Sequence, residues 1–413
     1  MPKALPMTKK HILFVDDDAE FLQGIQGSLR VVEPSWSTVL TTSAEEALDQ
    51  LAHVSFDAVV SDHRLVGIDG SSFLEKVQEL QPRAMRFIVS GELDREDVIR
   101  LAFPAHQCFT KPLDLDLLRR TLRKVTALRD LLSNEVLKRL VSQCSLLPTI
   151  PSLYLELTEE LKSPHFTIER LEAIISKDPA VAAKILQLVN SSFFGLSRRI
   201  EGIGEAISFI GVQIIKALVL TLPVFARFEG VRVKDYSPTA IWEHCWRTAV
   251  LARCIAQEED QPRGVCEEAF LAGLLHDLGK MVLVSNLSSL CRECTALTHR
   301  NQAPMHQAER EILGCTHGMV AAYLLGLWGI PDTIVEAVGF HDEPMEAPSS
   351  DFNILTAVHV ANALDHACSE GTPDHFKQYL DLEYVMALGL PARLEAWQKA
   401  GVAAFQRTKQ QAS

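Results

Sequence analysis

The sequence predicts two folds in one chain: an α/β unit built on a doubly wound, five-stranded parallel sheet, followed by an all-helical region. Three observations carry this. From His11 to about Thr126, short β-rich runs (HILFV, STVLT, DAVVS, RFIVS, CFT) alternate with amphipathic helical stretches, the rhythm of parallel strands joined by helical crossovers. After Ala127 the strand signals stop, and apolar residues recur at helical spacing between Pro and Gly. The 413 residues also exceed what one core usually organises, so two or three domains are expected.

Composition narrows the function classes. The net charge is −13 and the charged residues are spread over both parts, so the chain lacks the concentrated Lys and Arg of a nucleic-acid footprint. Nine cysteines at irregular spacing, in a chain that opens without the pattern of a secretory leader, are expected to be reduced thiols of a cytoplasmic protein. Cys291 and Cys294 form one CxxC with no second pair at zinc spacing, and read as incidental. The longest apolar run, within 269–284, is short for a bilayer span and carries His276, Asp277 and Lys280. It reads as one buried helix, not as a membrane anchor. Residues 1–10 are expected to be a disordered N-terminus.

In a doubly wound sheet, chemistry gathers beyond the carboxyl ends of the strands. FVDDD ends the first strand with Asp16, Asp17 and Asp18, VVSDHRL the third with Asp62, FIVSGE the fourth with Ser90, and FTKPL the fifth with Lys111 and Pro112. Carboxylates converging on one edge repel unless a hard cation sits among them, and octahedral oxygen coordination suits magnesium. A lysine and a hydroxyl would complete a cradle for a phosphoryl group. Taken singly, Asp18 reads as a helix cap or solvated loop acid, and Asp69-Gly70 as a turn.

As an ordered set these residues resemble a response-regulator receiver domain, flavodoxin-like in fold, over residues 11–126. The resemblance implies that a sensor histidine kinase phosphorylates Asp62. It implies Mg2+ bound directly by Asp17 and Asp62, by Asp16 through water, and by the backbone oxygen of Arg64, with Ser90 and Lys111 contacting the phosphoryl oxygens. Two positions depart from the family. Leu65-Val66 stands where Met-Pro is usual, and Cys108 stands at the switch aromatic, with Phe109 displaced to the other face of its strand. An ion pair between Arg64 and Glu92 across the mouth of the site is expected to lengthen the phosphoryl lifetime.

Residues 127–146 have leucines at helical spacing and are expected to continue the last helix of this unit as a connector. Beyond them, Asp178-Pro179 reads as a helix start, Asp capping and Pro in the first turn, with Val181, Ile185, Leu188 and Val189 as its buried stripe. Ser191, Ser192 and Gly195 mark the next turn. A break at 228–239 separates two bundles, 147–230 and 238–399, and 400–413 reads as a tail.

The segments DPAVAAKILQLVNSSFFG, WEHCWRTAVLARCIA and EEAFLAGLLHDLGKMVL resemble the HDOD domain, the HD-related output domain of bacterial signalling proteins, over about residues 147–399. The resemblance implies an all-helical relative of the HD metal-dependent phosphohydrolases that serves as an interaction output. It places His244, His276, Asp277, His317 and His341 at HD ligand positions, Asp342 where a second histidine often stands, and Asn362 where an aspartate closes the set. No GYP signature follows His341, so hydrolysis of a cyclic dinucleotide is not expected. Two readings stay open for the set: a vestigial site for a divalent metal, or a polar knot in which Asp277 accepts hydrogen bonds from His244, His317 or a helix end. Lys280 either steadies a phosphate or reaches solvent. The other histidines, His306, His359 and His366 among them, match no ligand position, and Trp242, Trp246 and Trp328 read as core.

The resemblances together imply a cytoplasmic two-component response regulator whose phosphorylation is passed to an HDOD output that binds a downstream signalling protein. Dimerisation through the receiver stays open. The competing class is a phosphorylation-controlled, metal-dependent phosphohydrolase, and Asn362 speaks against it.

Overall fold

The computed structural model describes residues 10–91, 104–132, 134–143, 156–157, 160, 163, 166–190, 199–211, 215, 238–347 and 350–411. The expected turn at 191–195, residues 228–237 of the break expected at 228–239, Glu92 and the side chain of Trp242 lie outside them, and residues 238 and 239 open a helix.

Each β-rich run is a strand: β1 (Lys10–Val15), β2 (Trp36–Thr41), β3 (Ala58–Asp62), β6 (Met85–Ser90) and β7 (Gln107–Thr110). A two-residue hairpin that the sequence did not signal, β4 (Arg64–Leu65) with β5 (Ile68–Asp69), follows β3. The five strands are all parallel, in the order β2-β1-β3-β6-β7. One face buries Phe14, Val60, Phe87 and Phe109 under α1 (Ala19–Val32) and α4 (Leu115–Leu131). The other buries Val15, Val59 and Ile88 under α2 (Ala44–His53) and α3 (Gly70–Leu80). Burial on both faces is why the strands read as unbroken apolar runs. Asp18, Ser43, Asp69 and Asp114 cap the four helices, each accepting from first-turn N–H groups.

The expected continuous connector is two helices. α4 stops at Leu131, and α5 (Glu135–Gln143) restarts after Asn134, whose Oδ1 accepts from the Val136 N–H at 2.8 Å. Asparagine competes for backbone donors this way, which favours a new helix start over continuation. The helical region then follows: α6 (Ile168–Ile175), α7 (Pro179–Val189), α8 (Ile203–Ile210), α9 (Pro238–Glu258), α10 (Arg263–Leu275), α11 (Leu278–Asn286), α12 (Ser288–Asn301), α13 (Met305–Leu313), α14 (His317–Leu327), α15 (Asp332–Phe340), α16 (Ile354–Ser369), α17 (Leu382–Ala387) and α18 (Leu394–Gln411).

Asp178 caps α7 through the Ala180 and Val181 N–H groups, as its sequence suggests. Two expectations fail. The run 269–284 is not one helix: α10 and α11 meet at His276-Asp277. Residues 400–411 are not a tail, because α18 runs on through them and buries Ala404 and Phe405. Among the described residues no single helix is long and apolar enough to cross a membrane.

The two parts share one continuous apolar core. α14 packs across α4 and α5, and polar links run along this seam. Gln107 on β7 donates to the carbonyls of Gly326 and Leu327 at 3.3 and 2.9 Å, Lys124 on α4 pairs with Asp332, and Arg199 donates to the Gly329 carbonyl. Beneath them lies a buried network. Arg86 donates to the carbonyls of Pro104 and Ser142, and the His106 ring is held between the Arg86 N–H and the Ser142 carbonyl. The Ser142 hydroxyl meets the Tyr323 hydroxyl of α14 at 3.0 Å.

Candidate functional sites

The first site lies at the carboxyl ends of β1, β3, β6 and β7. Asp16 and Asp62 are buried there, and the Lys111 ammonium bridges them, 2.7 Å from Asp16 Oδ2 and 2.9 Å from Asp62 Oδ1. Burial raises the Asp16 carboxyl above its ordinary range. Burial would lower the Lys111 ammonium, but its bonds to Asp16 and Asp62 outweigh that and raise it. Asp62 Oδ2 accepts from the Arg64 N–H at 3.0 Å, and the Lys111 N–H donates to the Ser90 carbonyl at 2.8 Å, which ties β6 to the lysine. Asp17 is exposed beside them, while Asp18 is spent as the α1 cap. Two buried carboxylates thus face one lysine, an excess of negative charge that fits a hard divalent cation. Phe109 packs on Phe87 in one core and Cys108 against the opposite core, so the aromatic does stand on the other face. Glu92, the partner expected for Arg64, lies outside the described residues.

The second site forms where α9, α10, α11, α14 and α15 converge. Two glycines make the approach feasible. A Cβ on Gly279 would fall 1.9 Å from the His317 carbonyl oxygen, and one on Gly318 would fall 2.9 Å from the Val338 and Gly339 oxygens. Four histidines then turn their Nε2 atoms inward. The Nε2 atoms of His244 and His276 are 3.0 Å apart, and those of His317 and His341 are 3.3 Å apart.

Every Nδ1 is held from behind. His276 donates to the Gly273 carbonyl, His341 to the Val338 carbonyl, His244 to Asp365 and His317 to Glu309, at 2.7 to 2.8 Å. Such partners are what orient histidines toward a metal. The carbonyl acceptors fix the protons of His276 and His341 on Nδ1, and burial lowers both rings, so their Nε2 lone pairs are bare. Each Nε2 pair therefore needs a cation between its members, either a proton or a metal ion.

Asp277 stands between the two pairs and is buried. Its Oδ2 accepts from Lys280 at 2.7 Å. Its Oδ1 lies 3.0 Å from His317 Nε2, 3.6 Å from His276 Nε2 and 3.8 Å from His341 Nε2, and has no aligned hydrogen-bond donor among the described residues. Burial would raise this carboxyl, but Lys280, His276 and His317 hold it well below its usual range. His317, opposed by burial but flanked by Glu309 and Asp277, is pushed up to about 10, so a metal entering there displaces its proton. Among the described residues, His244, His276 and Asp277 form one group that could hold a metal, and Asp277, His317 and His341 form another. The orphaned Oδ1 and the four aimed nitrogens fit a divalent metal ion.

Comparison with known proteins gives the family. The model for the response regulator receiver domain matches residues 12–123, and the model for the HDOD domain matches residues 147–344. The chain is a response regulator that joins a receiver domain to an HDOD domain.

The chain aligns with the transcriptional regulatory protein ZraR of Escherichia coli O157:H7 at 30% identity, over 36% of this chain and 33% of that one. An uncharacterized protein of Treponema pallidum is 23% identical over 65% of this chain and 50% of its own length. The alignments thus span half or less of these curated relatives. Among solved structures, the MmoQ response regulator of Methylococcus capsulatus is similar at 22% identity and TM-score 0.47, covering 62% of this chain and 98% of that one. An HDOD domain protein of Geobacter sulfurreducens is similar at 18% and 0.35, covering 68% and 98%.

The structure brings together Asp16, Asp62 and Lys111, with the Arg64 N–H on Asp62 and the Ser90 carbonyl on the Lys111 N–H, and it gathers the five HDOD residues around Asp277. Lys280 does not reach for solvent; it is ion-paired to Asp277. The sequence reading missed Glu309 and Asp365. Glu309 is buried and holds His317 by both its ring and its backbone N–H. Asp365 is buried, and Arg247 grips it with two donors. Neither lies at a recognisable motif spacing. Asn362, the predicted closing residue, turns its amide toward Asp342 at 3.5 Å.

Proposed function

We propose that the chain is a phosphorylation-controlled signalling protein of the cytoplasm in which Asp62 takes a phosphoryl group from a sensor histidine kinase. The observation that carries this is Lys111, which binds Asp16 and Asp62 together at the carboxyl edge of the sheet. An Asp62 oxygen attacks phosphorus as the bond to the kinase histidine breaks, and the electron pair of that bond returns to the imidazole nitrogen. Asp17, Asp62 and the Arg64 backbone oxygen, with Asp16 through water, would hold Mg2+, which would supply charge neutralisation for the phosphoryl oxygens. Lys111 then shifts its bond from Asp62 to a phosphoryl oxygen, and Ser90 donates its hydroxyl to another. The modification acts through local charge on a two-state arrangement of receiver and HDOD domain, and the HDOD domain binds a downstream protein. Acetyl phosphate should modify the intact chain but not the Asp62→Asn variant. Equal incorporation in both would overturn the reading.

A second reading is favoured by the orphaned Asp277 Oδ1: the HDOD domain holds a divalent metal ion. Its ligands would be drawn from the two groups that meet at Asp277, His244 with His276 on one side and His317 with His341 on the other, and the ion would supply Lewis-acid activation of a phosphoester. Metal that survives desalting supports this reading, and its absence from protein prepared with excess metal would remove it.

A further inference from the structure

The five HDOD site residues are not one equivalent ring. Asp277 divides them into two halves, and the halves differ in charge. The His317–His341 half has Asp277 Oδ1 with no aligned donor, and a second carboxylate beside it. Asp342 Oδ2 lies 3.4 Å from His317 Nε2 and 3.5 Å from His341 Nε2. Two imidazoles and two carboxylates neutralise and coordinate one divalent ion, a donor set suited to manganese, iron or zinc.

The His244–His276 half lacks that charge. Of the Asp277 oxygens near it, Oδ2, 3.6 Å from His244 Nε2, is already taken by the Lys280 ammonium at 2.7 Å, and Oδ1, 3.6 Å from His276 Nε2, is the oxygen that also faces the other half, 3.0 Å from His317 Nε2. Asp365, the other carboxylate nearby, faces the back of His244 and is held there by Arg247. Asn362, where the resemblance puts an aspartate, is neutral. A divalent ion in this half would meet a fixed positive charge across one carboxylate with nothing to balance it.

We propose that this HDOD domain binds a single metal ion, held by Asp277 Oδ1, His317 and His341 with Asp342 beside them, and that Lys280 takes the place of a second ion. The proposal rests on the metal-centre reading above and deepens it: the half built by His244 and His276 is structural, and the half beyond it is the one that binds.

The test uses Mn2+ with the full chain carrying Asp17→Asn, which removes a cation ligand of the receiver. Bound manganese is counted by elemental analysis after desalting, and electron paramagnetic resonance separates an isolated Mn2+ ion from a coupled pair. One equivalent with the spectrum of an isolated ion is expected. His341→Gln should lose it, His244→Gln should keep it, and Lys280→Gln should admit a second equivalent with a coupled-pair spectrum. Circular dichroism checks that each variant is folded, and a variant that is not is replaced by His317→Gln or Lys280→Met. Two coupled ions in the parent chain, or loss with His244→Gln but retention with His341→Gln, would overturn the assignment while leaving the metal centre standing. A single ion in both folded Lys280 variants would overturn the role given to Lys280. No bound manganese at all would overturn the metal-centre reading, and the proposal with it.

Discussion

Glu309 fixes His317 from two directions, accepting from its backbone N–H at 2.9 Å and from its ring at 2.7 Å. Carboxylates placed behind a ligand histidine typically strengthen metal binding by ~10–100-fold. Glu309→Gln should therefore weaken Mn2+ binding by about that range in a calorimetric titration, and an unchanged Kd would show that packing alone aims the ring. The sequence displayed His276-Asp277 as a motif and gave no sign of Glu309 or Asp365. A motif marks residues close along one segment, whereas these two reach the site only once α13 and α16 have packed against the helices that carry the histidines. Glu268 makes a separate residue-scale case. Burial first, then the Glu201 carboxylate, push it up to about 7, against the hydrogen bond from Thr333. A carboxyl raised in the fold binds protons more tightly there than in the unfolded chain, so stability falls as pH rises from about 4.5 to about 7. Glu268→Gln should remove that fall and leave the protein about 1 kcal/mol more stable at pH 8 after allowing for solvent screening. Thermal melts at pH 5 and 8 that show the same wild-type-to-variant gap would contradict this.

At the scale of elements, α14 is the part both halves of the molecule share. Its first residue is His317 and its last are Gly326 and Leu327, whose carbonyls accept from Gln107 on β7. Eleven residues of helix span about 16 Å, and Tyr323 meets Ser142 of α5 along the way. β7 also leads into Lys111 at its carboxyl end. A change at the phosphoryl site is thus one strand and one helix away from the HDOD histidines. Gln107→Ala should cost ~1 kcal/mol of stability and should reduce the difference in α14 hydrogen exchange between the free chain and the chain bound to beryllofluoride. A difference of full size would exclude β7 as the route. The strands were legible because burial on both faces leaves uninterrupted apolar runs. The break at Asn134 was not, since a leucine-rich pattern with one capping residue inside it looks the same whether the helix bends away or continues. The joint at His276-Asp277 was hidden for the same reason: both sides of the junction are buried, so the apolar run continues straight through it.

For the whole molecule, coupling between the two sites has to be reciprocal. If beryllofluoride on the receiver changes Mn2+ affinity at the HDOD centre, Mn2+ must change beryllofluoride affinity by the same factor. A factor of about 5 or more is expected from a seam this extensive, read in paired titrations of the full chain. A factor near one in both directions would mean that the domains are docked but not coupled. The buried Arg86 network sets a further rule, for anyone who cuts and joins this chain. Arg86 belongs to the receiver sheet, yet the carbonyl of Ser142 that receives it lies on α5, beyond the break at 132–134. A receiver excised at Leu132, the natural-looking boundary, would leave a guanidinium inside its core with one acceptor missing and the His106 Nε2 without the Ser142 carbonyl. Portable receiver fragments and domain swaps should be joined after Gln143, and a chimera spliced earlier should fold poorly even when every phosphoryl-site residue is intact.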